Sequence, residues 1–177
     1  AAAGLPGSPA RADVLVLVHG YLSGAQSWDA SGVTAVLQRH GWRHGGIYVS
    51  GPSGPRLIPV PVPRGGHTYY SVDLPSEAPV VVQAAQLRDM LDAIYRSHAG
   101  EPVYVVGHSA GGVVARAALV NNGGGNTRAL ITIASPHLGT YRAALQPLTL
   151  GDVTIVGVFD PTFAGAQNIV SITIQAQ

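Results

Sequence analysis

Residues 103–116 constrain the fold more than any other stretch of the chain. A short β-branched run, Val103 to Val106, leads directly into Gly107-His108-Ser109-Ala110-Gly111, and an amphipathic helical pattern begins behind it. Val-rich runs favour strands. The stretch therefore predicts a strand, a tight turn that carries a serine, and a helix.

The glycine spacing around Ser109 matches the pattern G-x-S-x-G. A serine on such a turn has a strained backbone, so the residues two positions away must be small, and Gly107 and Gly111 satisfy this. The turn presents Oγ at the carboxyl edge of a sheet, where the next backbone N–H and the helix N-terminus face developing negative charge. An ordinary strand–helix turn is the alternative interpretation.

Composition restricts the class of protein. The length of 177 residues predicts one domain, 1–177. A composition of 46% hydrophobic and 11% charged residues excludes disorder. All ten basic residues are scattered arginines and the net charge is +1, so we expect no nucleic-acid partner. The chain has no cysteine, which excludes disulfides and a cysteine nucleophile.

Neither a cofactor nor a membrane span is predicted. The histidines have no metal-ligand spacing, and no apolar run approaches the roughly 18 residues that span a bilayer. The small residues that open the chain, Ala1 to Pro6, resemble what signal-peptide cleavage leaves. They favour a secreted or periplasmic location over a cytoplasmic one, and the oligomeric state is left open.

Strand and helix patterns alternate along the chain, which predicts an α/β fold with a mostly parallel sheet and helices on both faces. Ser31 is the expected N-cap of the first helix, and Pro79 begins the longest one. The expected strands are 13–18, 47–49, 103–106, 129–134, 153–159 and 169–174, and the expected helices are 33–40, 79–98 and 111–121.

Prolines and glycines dominate residues 51–66, so we expect neither a helix nor a central strand there. This excursion is predicted to lie on the surface, either as one rim of the site or as a loop without a role. Five aromatic residues are candidates for a substrate pocket, although scattered aromatics more often belong to the core or surface. They are Tyr21, Trp28, Tyr69, Tyr70 and Tyr141.

Three segments together resemble the α/β-hydrolase superfamily, specifically its small bacterial lipases and esterases. His19-Gly20-Tyr21 follows the first strand, Gly107 to Gly111 forms the serine turn, and Ser135-Pro136-His137-Leu138-Gly139-Thr140 follows the next strand. The resemblance runs from about Val14 to Gln177. It implies a fold with a minimal lid, because only a brief segment separates Thr140 from Val153.

The resemblance also assigns roles. Ser109 would be the nucleophile that forms an acyl-enzyme, and the backbone N–H groups of Ala110 and Tyr21 would form the oxyanion hole. The fold's order of serine, acid and histidine leaves two acids, Asp152 and Asp160. Asp160 is favoured because it ends the expected strand 153–159.

No histidine follows Asp160, so the sequence departs from the family's pattern at the catalytic base. Three explanations compete. The histidine lies beyond Gln177 and the domain is C-terminally incomplete, or a histidine is recruited from His19, His108 or His137, or catalysis has been lost.

These observations favour a carboxylic-ester hydrolase that acts on a small-molecule ester or lipid. The alternative is a non-catalytic protein of the same fold that uses the cleft for binding or assembly.

Overall fold

The computed structural model describes residues 12–61, 66–120, 124–138 and 169–172. The expected strand 153–159, both candidate acids Asp152 and Asp160, and the candidate pocket residue Tyr141 lie outside these ranges.

Within the described residues, seven strands form one sheet in the order β3-β2-β4-β1-β5-β6-β7. The strands are β1 (Val14–Val18), β2 (Arg43–Gly51), β3 (Gly54–Pro59), β4 (Thr68–Asp73), β5 (Val103–His108), β6 (Thr127–Ile133) and β7 (Ile169–Ile172). The helices are α1 (Ser27–Ala30), α2 (Val33–Arg39), α3 (Val80–Ser97) and α4 (Ala110–Val120).

Every pairing in this sheet is parallel except the antiparallel pair of β2 and β3. Val18 of β1 pairs with Gly107 of β5, and Gly107 in turn pairs with Thr132 of β6. The carboxyl ends of β1, β5 and β6 therefore meet at one edge, with β5 between the other two. This edge is where an open parallel sheet presents its functional loops.

Helices cover both faces, as the sequence predicts. Val14, Val16 and Val18 of β1 pack into a cluster with residues of α3 and α4, whereas Leu15 and Leu17 pack with Trp28 of α1 on the opposite face. Burial on two faces explains why the first strand is an uninterrupted apolar run and not an alternating one.

The longest helix confirms its sequence prediction. Pro79 is the N-cap of α3, and the predicted apolar stripe faces the sheet. Its members are all buried: Val80, Ala84, Leu87, Leu91 and Ile94.

The start of the second helix was predicted wrongly. Gly32, with φ 78°, is the N-cap of α2, and Ser31 instead ends the unpredicted helix α1, where its hydroxyl donates a hydrogen bond to the carbonyl of Trp28 at 3.0 Å. Ser31 is therefore the C-cap of α1 and not the N-cap of α2.

The excursion 51–66 contains a strand that the sequence did not predict. Residues 54–59 form β3, an edge strand whose Pro55 and Pro59 pair with Ser50 and Gly46 of β2. An edge strand tolerates proline because half of its N–H groups make no bond within the sheet. Four inter-strand spacings separate β3 from β5, which is about 19 Å, so β3 is not the predicted rim of the serine turn.

Three of the candidate pocket aromatics belong to the core: Trp28 of α1, Tyr69 and Tyr70. Tyr69 and Tyr70 lie in β4, a strand that the sequence reasoning missed, and their side chains pack into the clusters on opposite faces of the sheet. Burial raises the pKa of Tyr70 to about 12. These two rings stabilise the fold and do not form a common pocket.

In the described part of the chain, none of the helices combines the length and the apolar character that crossing a membrane requires.

Replacement of Ile94 by alanine tests the packing of α3 on the sheet. The side chain is fully buried, so we expect Ile94→Ala to lower the free energy of unfolding by about 2–5 kcal/mol. Val82→Ala on the same helix is the control, because Val82 is 43% exposed and should change stability by less than about 0.5 kcal/mol. Urea unfolding of both variants measures the difference, and equal effects would contradict the packing described.

Candidate active site

Ser109 lies on a strained turn between β5 and α4. Its φ of 53° falls in the left-handed region, which an L-residue other than glycine adopts at a cost of about 1–3 kcal/mol. The N–H of Ser109 donates to the carbonyl of Ile133 at 2.8 Å. The ladder between β5 and β6 thus continues to the serine itself and holds it in this conformation.

The glycines around Ser109 are required by close backbone approaches. A Cβ on Gly107 would lie 2.5 Å from the Cα of Gly112, and a Cβ on Gly111 would overlap the carbonyl oxygen of His19. The predicted role of Gly107 and Gly111 as small neighbours agrees with this packing. Gly112 was not singled out, yet a Cβ there would overlap Oγ of Ser135, the buried serine after β6.

His19 anchors the loop that follows β1. The backbone N–H of Leu74 donates to its Nε2 at 3.0 Å, so Nε2 is the acceptor and Nδ1 is the nitrogen that can donate. Nδ1 then donates to the carbonyl of Gly20 at 2.9 Å. The buried ring therefore ties the loop after β1 to the end of β4.

This second hydrogen bond orients the peptide between Gly20 and Tyr21. In a trans peptide the C=O and N–H point in opposite directions, so the N–H of Tyr21 points away from the His19 ring. Gly20 itself lies against the turn, since a Cβ there would be 3.0 Å from Cβ of Ser109. The predicted oxyanion loop and the predicted nucleophile are thus in contact.

Asp73 is a site residue that the sequence reasoning missed. It ends β4 at the same sheet edge, where its Oδ1 accepts the N–H of Ala25 at 3.1 Å and lies 3.8 Å from Nε2 of His19. The aromatic and β-branched run Thr68–Val72 was the available signal, because it predicts a strand that ends at this carboxylate. Asp73 fixes the later part of the loop between β1 and α1.

The structure describes some of the other predicted site residues but not all of them. Ala110 is the first residue of α4, and the first N–H groups of a helix have no acceptor within it. Tyr21 is partly exposed, and its role as the second donor stays a prediction. Asp160 and Asp152 lie outside the described residues. The strand beside β6 is β7, and the role of Asp160 also stays a prediction.

None of the described histidines hydrogen-bonds to Oγ of Ser109. His19 uses both ring nitrogens in the contacts above, and His137 places Nε2 3.1 Å from Oγ1 of Thr132. His108 is exposed, and its ring meets the buried ring of Trp28 edge-on at a centroid distance of 6.4 Å.

His137 lies in the loop that follows β6. This loop begins with Ala134 in the left-handed region at φ 49°, and the N–H of His137 closes it by donating to the carbonyl of Ser135 at 2.9 Å. Burial lowers the pKa of His137, and the positive charge of Arg116 lowers it further. The ring therefore takes up a proton only at a lower pH than a free histidine does.

Among the described residues, no group of three or more histidine, aspartate or glutamate side chains is placed to hold a metal ion.

Comparison with protein families gives a match to the PGAP1-like alpha/beta domain over residues 68–150. This segment runs from the start of β4 through the serine turn and the loop after β6.

Two curated relatives share parts of the chain. A Drosophila melanogaster protein described as a lysosomal thioesterase PPT2 homolog is 32% identical over 78 residues, which are 44% of this chain and 27% of that protein. The protein translocase subunit SecF of Rhodobacter capsulatus is 46% identical over 54 residues, which are 30% of this chain and 16% of that protein. The chain thus spans less than a third of either relative.

A solved structure covers nearly the whole chain. The mature Bacillus licheniformis lipase BlEst2 superposes with a TM-score of 0.58 over 90% of this chain and 56% of the lipase, at 21% identity. The chain has an α/β-hydrolase fold.

This α/β-hydrolase fold confirms the fold class that the sequence predicts, with the parallel sheet and the helices on both of its faces. The elbow, meaning the turn Gly107–Gly111, lies where β5 passes into α4.

The depressed pKa of His137 predicts a pH dependence of stability. The unfolded chain takes up a proton on this ring near pH 6.5, whereas the folded ring stays neutral to lower pH. Its contribution to stability is therefore complete above about pH 6.5 and is lost as the pH falls through the folded pKa. We expect His137→Gln to lose less of its Tm than wild type between pH 7.5 and pH 5.

His40→Gln is the matched control, because His40 is an exposed histidine at the end of α2. Thermal unfolding at both pH values compares the three proteins. An undiminished pH dependence in His137→Gln would contradict a neutral His137 in the folded chain.

Proposed function

We propose that the chain is a carboxylic-ester hydrolase of the lipase or esterase type that works through an acyl-enzyme on Ser109. The observation that carries this proposal is the left-handed conformation of Ser109, with φ 53°, at the junction of β5 and α4. Such strain is retained at functional sites, where it gives a side chain an orientation that a relaxed turn does not.

Three further observations support the proposal. Gly20 of the loop after β1 touches Ser109, which is the arrangement an oxyanion hole between the two segments requires. The lipase BlEst2 shares the fold, and the thioesterase homolog shares part of the sequence. Both of these proteins are named for cleaving esters or thioesters.

The proposed reaction begins with attack of Oγ on the ester carbonyl, which gives a tetrahedral intermediate and then an acyl-enzyme with loss of the alcohol. The N–H groups of Ala110 and Tyr21 would stabilise the oxyanion, and each such donor is worth about 10²–10³ in rate. Water then hydrolyses the acyl-enzyme. Asp160, with Asp152 as its alternative, is the proposed acid of the triad.

A non-catalytic role is the second candidate. It is favoured by one observation, that Ser109 has no histidine hydrogen-bonded to Oγ among the described residues. A serine without a base is a weak nucleophile, although an oxyanion hole alone gives residual catalysis. The cleft would then bind or assemble without turnover.

Replacement of Ser109 by alanine separates the two candidates. We expect wild type to hydrolyse p-nitrophenyl butyrate and to be labelled by an organophosphonate, which bonds covalently to an activated serine. Both signals should be lost in Ser109→Ala, because no other hydroxyl replaces the one on the strained turn.

Ser135→Ala is the control, since Ser135 is a neighbouring serine that is 1% exposed and should not be labelled. The assay is repeated on a chain extended beyond Gln177, which examines whether a base is supplied there. Absence of both hydrolysis and labelling in both proteins would eliminate the hydrolase.

Replacement of His19 tests its proposed positioning of the oxyanion loop. His19→Phe removes the bonds to Leu74 and Gly20, so the Tyr21 peptide is no longer oriented, and we expect kcat to fall by about 10²-fold with little change in KM. His19→Asn can return a donor near the Nδ1 position and should recover part of kcat. A parallel rise in KM, or no rescue by asparagine, would assign His19 a structural role alone.

A further inference from the structure

Two leucines at the edge of the sheet are exposed on either side of Ser109. Leu138 is 74% exposed and Leu22 is 67% exposed, which makes them the two most exposed large hydrophobic side chains in the described part of the chain. Leu22 follows β1 and Leu138 follows β6, the two strands that flank β5. The exposed leucines therefore bracket the elbow.

The backbone of Leu22 is strained as well. Its φ of 51° lies in the left-handed region, which glycine and asparagine adopt readily and leucine does not. Because the side chain is mostly exposed, packing within the folded chain does not offset that cost. Backbone strain of this kind clusters at active sites and ligand clamps, and Leu22 lies beside the elbow.

The chemistry at this edge favours an apolar contact. Leu22 directly follows Tyr21, whose N–H is the proposed donor to the reacting carbonyl. Asp73 contributes a half-exposed carboxylate to the same edge, and its negative charge disfavours an acidic substrate. A neutral ester with a hydrocarbon chain fits both features.

We propose that Leu22 and Leu138 are specificity-determining residues that contact the hydrocarbon chain of the ester on either side of Ser109. This proposal rests on the proposed ester hydrolysis and deepens it, because it makes long-chain esters the preferred substrate class. Each methylene that such a contact removes from water raises kcat/KM by about fourfold, so preference for chain length is the property to measure.

The first experiment compares kcat/KM for p-nitrophenyl octanoate and p-nitrophenyl acetate, both kept below the concentration at which the octanoate aggregates. The variants are Leu22→Asn, which retains a residue that tolerates the left-handed backbone, and Leu138→Ala. We expect the octanoate-to-acetate ratio to fall by about 10-fold in each. Val81→Ala is the control, because Val81 is 62% exposed on α3 and should leave the ratio unchanged.

A second substrate series shows whether the leucines contact the acyl chain or the alcohol chain of the ester. Octyl acetate and ethyl acetate vary the alcohol and keep the acyl group constant, so a loss confined to octyl acetate assigns the leucines to the alcohol side of the ester. A loss confined to the octanoate assigns them to the acyl side. If the variants retain both ratios, or lose activity on short and long esters equally, the leucines do not contact the chain and the proposal is overturned.

A binding measurement keeps the two proposals distinguishable. A neutral fluorescent ester with a long hydrocarbon chain on both its acyl and its alcohol side should bind Ser109→Ala without being cleaved, and adding Leu22→Asn should raise its Kd by about 10-fold. Absence of hydrolysis and labelling in both the wild type and the chain extended beyond Gln177 contradicts the hydrolase, whereas equal Kd values for this ester in the two variants contradict the leucine contact whether or not the wild type turns over.

Discussion

The first turn of α4 can approach the end of β1 only because Gly111 has no side chain. A Cβ there would overlap the carbonyl of His19, and even a methyl group would push the helix away from the strand. That approach brings the serine turn against Gly20 and so against the loop whose peptide His19 orients. The contact between the candidate nucleophile and the candidate oxyanion loop therefore depends on the close approach of Gly111 to the backbone of His19. The hydrogen bonds of His19 then orient the loop within that contact.

Support for the turn comes from both neighbours of β5. On one side, His19 is fixed by the N–H of Leu74, so the order of the loop depends on β4 as well as β1. On the other side, the serine N–H bonds to Ile133, and the buried hydroxyl of Ser135 fills the space that Gly112 leaves open. Because each support comes from a different strand, the strain at Ser109 is maintained by the assembled sheet and not by the local sequence.

The sequence predicts the structure well where a single hydrophobic periodicity or a single tight turn determines it. The apolar stripe of α3 and the glycine spacing of the elbow both predict their surroundings, since local sterics dictate them. The edge strand β3 was missed because its prolines disfavour a strand. The strand β4 was missed because its polar and apolar residues alternate only in part. The contact of Asp73 with the loop after β1 and the tautomer of His19 were beyond prediction, because they depend on which strands become neighbours. The base and acid that would complete a triad are not placed by the described residues, so their identity rests on the resemblance.

The prolines of β3 have a consequence for solubility. The N–H of Val60 bonds inward to the carbonyl of Gly45, and alternation along a strand then directs the nitrogens of Pro55, Leu57 and Pro59 outward. Two of those three outward nitrogens carry no hydrogen, so the open side of the sheet offers a second chain little to pair with. An unprotected edge is a template for aggregation. The prolines that made β3 hard to predict from the sequence therefore also hinder its pairing with a strand of a second chain.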